Sequence, residues 1–106
     1  MPYIIRTITY PSHKRNDVIK KYREVRSKYP PDESLGELVA QPVTITKNGI
    51  KLMVIFEPKE GKFEEAFKRA RTLHFEFTEI EGYESEITVW ATFPEAAEIA
   101  GIPLSE

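Results

Sequence analysis

The sequence predicts an α+β domain built on one antiparallel sheet, and three observations predict it. The run YIIRTITY at 3–10 is rich in β-branched and aromatic residues and stops at a proline. The stretch ELVAQPVTITKNGIKLMVIFEP at 37–58 holds Asn48-Gly49 between two β-rich runs, the preferred signal for a two-residue hairpin turn. Between and after these lie two segments whose apolar residues recur at helical spacing.

Taken in order, residues 3–10 form the first strand, and Ser12 follows Pro11 as a candidate helix cap. Val18, Ile19, Tyr22, Val25, Arg26 and Tyr29 then fall on one helical stripe, ended by Pro30-Pro31, neither of which can donate a backbone hydrogen bond. A turn at Asn48-Gly49 sets Lys47 opposite Ile50, Ile45 opposite Leu52, Val43 opposite Val54 and Gln41 opposite Phe56. In that register position 42 faces 55 at a non-hydrogen-bonded site, so the missing N–H of Pro42 points away from its partner, as an edge strand allows. Phe63, Ala66, Phe67, Ala70, Leu73 and Phe77 mark a second helix that stops between Phe75 and Gly82. Glu64–Lys68 and Glu65–Arg69 would support it as ion pairs one turn apart. SEITVWATF at 85–93 reads as a fourth strand. PEAAEIAG at 94–101 reads as a short terminal helix, with Pro at its first turn and Gly past its end.

The order β-α-β-β-α-β, with right-handed crossovers on one sheet, gives a ferredoxin-like split βαβ arrangement. Its four antiparallel strands run 4-1-3-2 with two helices on one face and the short C-terminal helix in addition. The second strand lies at an edge, which Pro42 requires independently. The whole chain, residues 1–106, is one such domain. Its length and pattern resemble the dimeric α+β barrel superfamily, in which two protomers face their open sheets together. That resemblance implies a homodimer. It covers several chemistries, including cofactor-free oxygenases, haem-degrading oxygenases, isomerases and amino-acid-sensing regulatory domains, and selects none of them.

Composition narrows the function classes. Apolar residues are 41% and charged residues 30% of the 106, the balance of a folded soluble domain. Glu and Lys dominate the charges, a thermophile-like composition. The absence of cysteine excludes disulfides, a thiol nucleophile and cysteine-held metal. With no bilayer-length apolar run and no cleavage-site pattern, the expected location is cytoplasmic, without membrane association. Net charge is −2, yet residues 12–29 carry +5 and residues 74–106 carry −8. The economical reading is that these regions neighbour and screen each other. Nucleic-acid binding is not expected, because such a module is normally basic overall and IKLMVIFE lacks the Gly-aromatic run of an RNA-recognition strand.

Candidate site residues follow from position. His74 lies beside the second helical stripe, where a histidine could fill volume, act as a general base in a pocket, or bind haem as helix histidines do in the haem-degrading relatives. No metal site is expected, since Ala70, Arg71, Phe77 and Thr78 are its helical neighbours. Phe63, Phe67 and Phe77 would wall the pocket. Arg6 interrupts the central strand and must reach a carboxylate, an acidic ligand or the sheet's rim. The resulting expectation is a homodimer that binds an apolar or weakly acidic small molecule between helices and sheet, possible chemistry being a cofactor-free oxygenase or isomerase. It needs no cofactor and leaves haem open. The alternative is a non-catalytic regulatory or interaction module acting through the basic first helix. On the sheet's second face Met53, Ile55, Thr88 and Trp90 would form the dimer interface, unless residues 94–106, with Ile99, Ile102 and Leu104, fold back over them.

Overall fold

The computed structural model describes residues 2–103. Strand β1 spans Tyr3–Tyr10, helix α1 Arg15–Lys28, β2 Gly36–Ala40, β3 Val43–Thr46, β4 Gly49–Pro58, α2 Phe63–Glu76, β5 Glu84–Trp90 and α3 Phe93–Ile99. A short 3₁₀ turn at Ser12–Lys14 leads into α1. All pairings are antiparallel. The sheet runs β2-β4-β1-β5, with β3 also on β4.

The fold is α+β, but the expected four-stranded 4-1-3-2 ferredoxin-like sheet is not what forms. Among the described residues there are five strands, because the predicted second strand is broken into β2 and β3. Pro42 is the physical reason. Met53 N–H donates to the Pro42 carbonyl at 3.0 Å. Residue 42 thus sits at a hydrogen-bonded position, where the return bond needs an N–H that proline lacks. The ladder stops there, and the register shifts between Leu38 and Ala40.

The turn differs as well. Thr46 pairs with Gly49, Ile45 with Ile50 and Val43 with Leu52, two residues away from the expected register. Lys47 and Asn48 are the central turn residues. A type I′ turn needs positive φ at both, and among the described residues only glycines have positive φ. The Thr46 hydroxyl instead holds the turn, accepting from Asn48 N–H at 3.1 Å and donating to the Gly49 carbonyl at 3.2 Å. Gly49 is needed for another reason: a Cβ there would lie 2.3 Å from the Tyr10 carbonyl oxygen. A slip of two keeps residues 43–46 and 50–56 on their predicted faces, while the shift between Leu38 and Ala40 turns Leu38 to the Phe56 side.

Ser12 makes no capping bond to α1. In α3 the cap is Thr92, whose hydroxyl and Glu95 form a capping box, so the helix begins at Phe93 and β5 ends at Trp90.

Helices α1 and α2 cover one face of the sheet. The even-numbered residues of β1 point to them. Ile8, Tyr10, Val18, Val25, Ile50 and Phe77 form one buried cluster, and Ile4, Leu35, Ala66 and Ala70 the other. Among the described residues no helix is long and apolar enough to cross a membrane.

Candidate functional site

Arg6 lies at the middle of β1, the strand paired on both sides, with Val54 and Ile87 as its neighbours across the sheet. Strand alternation puts it on the helix-covered face between Ile4 and Ile8. It is 8% exposed, the one charged side chain buried among the described residues. Its Nε and Nη2 have no hydrogen-bond partner there. Burial lowers the guanidinium's affinity for its proton, and the neighbouring Tyr83 phenol opposes that shift. Tyr83 is itself pushed up to about 12, mainly by burial, against the pull of Arg6. Its ring stacks on Phe77 at 5.0 Å and on Tyr10 at 6.3 Å, which fixes one flank of the guanidinium's surroundings.

A cavity of about 710 Å³ lies between α1, α2, the 29–37 loop and the β4 side of the sheet, with Arg6 in its wall. Val54, Phe56, Leu73 and Leu38 give it an apolar lining. A narrower compartment of about 80 Å³ is bounded by Arg6, Ile4, Ala66, Ala70 and Arg69. Ala66 and Ala70 create it: small side chains on α2 face the central strand where larger ones would have filled the space.

The loop over the cavity is braced from within the chain. Arg69 Nη2 donates to the carbonyls of Tyr29 and Pro30, at 2.9 and 2.7 Å. This is the use α2 finds for Arg69, in place of the expected pair with Glu65, which lies instead against Lys62 at 3.6 Å. Asp32 accepts from Ser34 N–H and hydroxyl, and these bonds hold its carboxyl below the usual range. Buried Leu35 anchors the segment, and its carbonyl accepts from Lys59 N–H at 2.8 Å. Arg26 and Lys59 stand at the mouth together with Asp32, Glu33 and Glu37.

The pocket composed from the sequence does not assemble as one unit. Phe63 and Phe67 stack at 5.8 Å, half-buried against the Ile4 cluster, and line an open groove along α2 with Arg71 and Phe75. Phe77 is core against Tyr83. His74 is half-buried, its Nδ1 without a partner and its ring 5.3 Å from Phe75; it lines none of the cavities described above. Arg6 therefore meets neither His74 nor the expected phenylalanines, but Val54, Phe56 and Leu73. Those three were readable as inward-facing. That they border a void was not, since it depends on the alanines opposite. No three His, Asp or Glu side chains gather as a metal site would need among the described residues.

Met53, Ile55, Thr88 and Trp90 do come together, on the face away from the helices. Ile5 pairs with both Ile55 and Thr88, Thr7 with Met53, and Tyr3 with Trp90. Trp90 is 57% exposed, its Nε1 donating to the Thr88 hydroxyl at 2.7 Å. Ile99 and Ile102 are exposed rather than folded back, and Leu104 lies outside the described residues. The basic first helix and the glutamate-rich segment are neighbours: Lys21 pairs with Glu79, and Lys28 and the Tyr29 hydroxyl meet Glu76 at 3.2 and 3.1 Å.

No family model and no curated protein matches the chain. Among solved structures it is similar to a formyltetrahydrofolate deformylase from Pseudomonas putida KT2440, at 14% identity and a TM-score of 0.46. The match covers 83% of this chain and 28% of that one, so the chain spans little more than a quarter of that protein's length. A likeness at this score carries no functional argument.

Proposed function

We propose that the protein is a small-molecule binding domain whose ligand occupies the cavity between helices and sheet, and that it works as a homodimer closed through its open sheet face. One observation carries the binding reading: Arg6, a buried cation with no carboxylate partner among the described residues, lines a cavity of about 710 Å³. A buried charge without a partner is costly, and a bound acidic group removes that cost. The apolar lining suits a ligand with an apolar body. His74, the expected polar group, lies outside this cavity, so the reading is of binding rather than of an oxygenase or isomerase. The interaction-module alternative, acting through α1, is weakened by the pairing of Lys21 and Lys28 with glutamates of the same chain.

Support for the dimer comes from shape and exposure. The radius of gyration is 15.8 Å, against about 13 Å for a compact chain of this length. Trp90, Met53 and Ile55 share the open face, and a second copy offers the same surface in an isologous contact.

A thermal-shift screen of small organic acids tests the binding reading. At least one acid should raise the melting temperature of the natural protein. Arg6→Met should remove that shift while leaving the empty protein at least as stable, because it deletes an unpaired buried charge. A shift that survives Arg6→Met would sink the proposal, as would a screen without any shift.

A further inference from the structure

Among the described residues β2 and β3 lie along one edge of the sheet and β5 along the other. An unpaired edge offers a row of free N–H and C=O groups, and proteins guard such rows with charges, bulges or cover. β5 is guarded by Glu84 and Glu86, and β2 by Glu37 and the irregularity after Leu38. β3, Val43–Thr46, carries no charge, and all four of its residues are exposed.

The ladder says which of its backbone groups are free. The bond from Met53 N–H to the Pro42 carbonyl makes 42 and 53 a hydrogen-bonded pair, so Thr44 with Lys51 and Thr46 with Gly49 are the next such pairs. Val43 and Ile45 therefore turn their N–H and C=O groups outward, and among the described residues no group bonds them. Their side chains share the face of Leu52 and Ile50, yet they are 61% and 77% exposed, so no helix covers them. Pro42 is no obstacle on this side, because its missing N–H faces β4.

The outward pair is symmetric about Thr44. Lay two copies of β3 antiparallel with Thr44 opposite Thr44, and Val43 of each copy comes opposite Ile45 of the other at hydrogen-bonded positions. All four outward N–H groups then find carbonyls. The two valines and two isoleucines meet on one face. The threonines meet on the other, a favourable cross-strand pair. No like charges stand opposite one another within residues 42–46.

From these features we infer that β3 is a pairing edge for a second copy of this chain, the two strands joining antiparallel about a two-fold axis at Thr44. The contact goes beyond the open-face dimer and does not rest on it. Two strands of four residues bury less than the roughly 1,200 Å² of a stable interface, so the pairing is weak. With a Kd of about 1 mM it is scarcely populated at tens of micromolar.

Amide hydrogen exchange, read residue by residue by NMR at tens of micromolar and again at about 2 mM, tests it. At the higher concentration the Val43 and Ile45 amides should exchange about two- to threefold more slowly, as that Kd dictates. The Thr44 amide, bonded to β4 throughout, should not change. In a mixture of isotope-labelled and unlabelled protein, the Thr44 Hα of one copy should show a contact with the Thr44 Hα of the other. Ile45→Lys, at an exposed position, should abolish the slowing, and a Thr44 amide still protected in that variant reports an intact hairpin. Trp90→Glu, which lies away from this edge, should keep it. The pairing is overturned by exchange at Val43 and Ile45 that does not depend on concentration, by slowing that survives Ile45→Lys, or by slowing that is lost in Trp90→Glu. Slowing on β5 in place of β3 would put the contact on the other edge. Slowing at Val43 and Ile45 without the Thr44 contact would mean another strand occupies the edge; either result also overturns the inference.

Discussion

On the face of the sheet that the helices cover, Ile4, Ile8 and Tyr10 of β1 are buried against Val18, Val25, Ala66, Ala70 and Phe77. On the opposite face the alternate residues of the same strand, Tyr3, Ile5 and Thr7, are only half-buried beside Trp90, Met53 and Ile55. The apolar content of the two faces is comparable near their centres, yet their local chemistry is inverted. The covered face holds the buried charge, Arg6, and the cavity; the open face holds the exposed tryptophan. On the proposed binding reading, the charge in the covered layer is met by a ligand's acidic group. An exposed tryptophan is tolerated on the open layer when another surface covers it. The two anomalies thus call for two kinds of partner, a small acid on one side and a second protomer on the other.

The largest expected effect that tests this contrast is in the covered core. Ile8→Ala should destabilise the protein by about 2–5 kcal/mol, because it opens a cavity at a site 3% exposed. Ile5→Ala, three residues away in sequence and on the other face, should cost about 1 kcal/mol or less in dilute protein. On the proposed dimer its cost should grow with protein concentration, since that contact would add burial on this face alone. Chemical denaturation at two protein concentrations reads both. Equal costs that do not change with concentration would mean the two faces are not distinct in the way described.

Next in size is the assembly itself. Light scattering at tens of micromolar should give a dimer for the natural chain and a monomer for Trp90→Glu, which sets a charge where the apolar contact forms. The monomeric variant should stay folded, since Trp90 is 57% exposed within its own protomer. A natural chain that is monomeric, or a Trp90→Glu variant that remains dimeric, removes the open face as the interface.

Much of this contrast is legible in the sequence, because it depends on period. Alternation along YIIRTITY put Arg6 with Ile4 and Ile8. Even the wrong hairpin register left Met53 and Ile55 on the predicted face, since a slip of two residues changes partners without changing sides. The break into β2 and β3 was missed because it followed from that register. Asn48-Gly49 argued for a turn in which Pro42 was harmless, whereas Thr46 and the close approach of Tyr10 to Gly49 chose a turn in which it was not. The site was legible only as single residues. Arg6 announced itself as a charge in a central strand. Its cavity depends on Ala66 and Ala70 arriving opposite it from α2, a tertiary coincidence that the helical stripe encodes as "apolar" without encoding as "small". The supposed pocket of His74 with Phe63, Phe67 and Phe77 failed for a related reason. Their stripe is shared between two clusters along its length: Phe63 and Phe67 pack beside the Ile4 cluster, whereas Phe77, just past the end of α2, packs on Tyr83 in the other.

His74 supplies the smallest effect and the finest test. Leu73 points into the cavity, and His74 follows it on the helix, turned away from that space and against Phe75. Its Nδ1 is buried without a partner. Two consequences of His74→Ala therefore oppose each other. Lost volume destabilises, while removal of an unpaired polar atom stabilises, and a half-buried site relaxes more readily than a sealed one. The net change in unfolding free energy should be about 1 kcal/mol or less. The thermal shift given by an organic acid should be unchanged, because nothing in the cavity is touched. The pairing of readouts decides the role: a variant of natural stability with a diminished acid-induced thermal shift would bring His74 into the site, whereas a small loss of stability with the full shift would place it as a packing residue on the flank of α2.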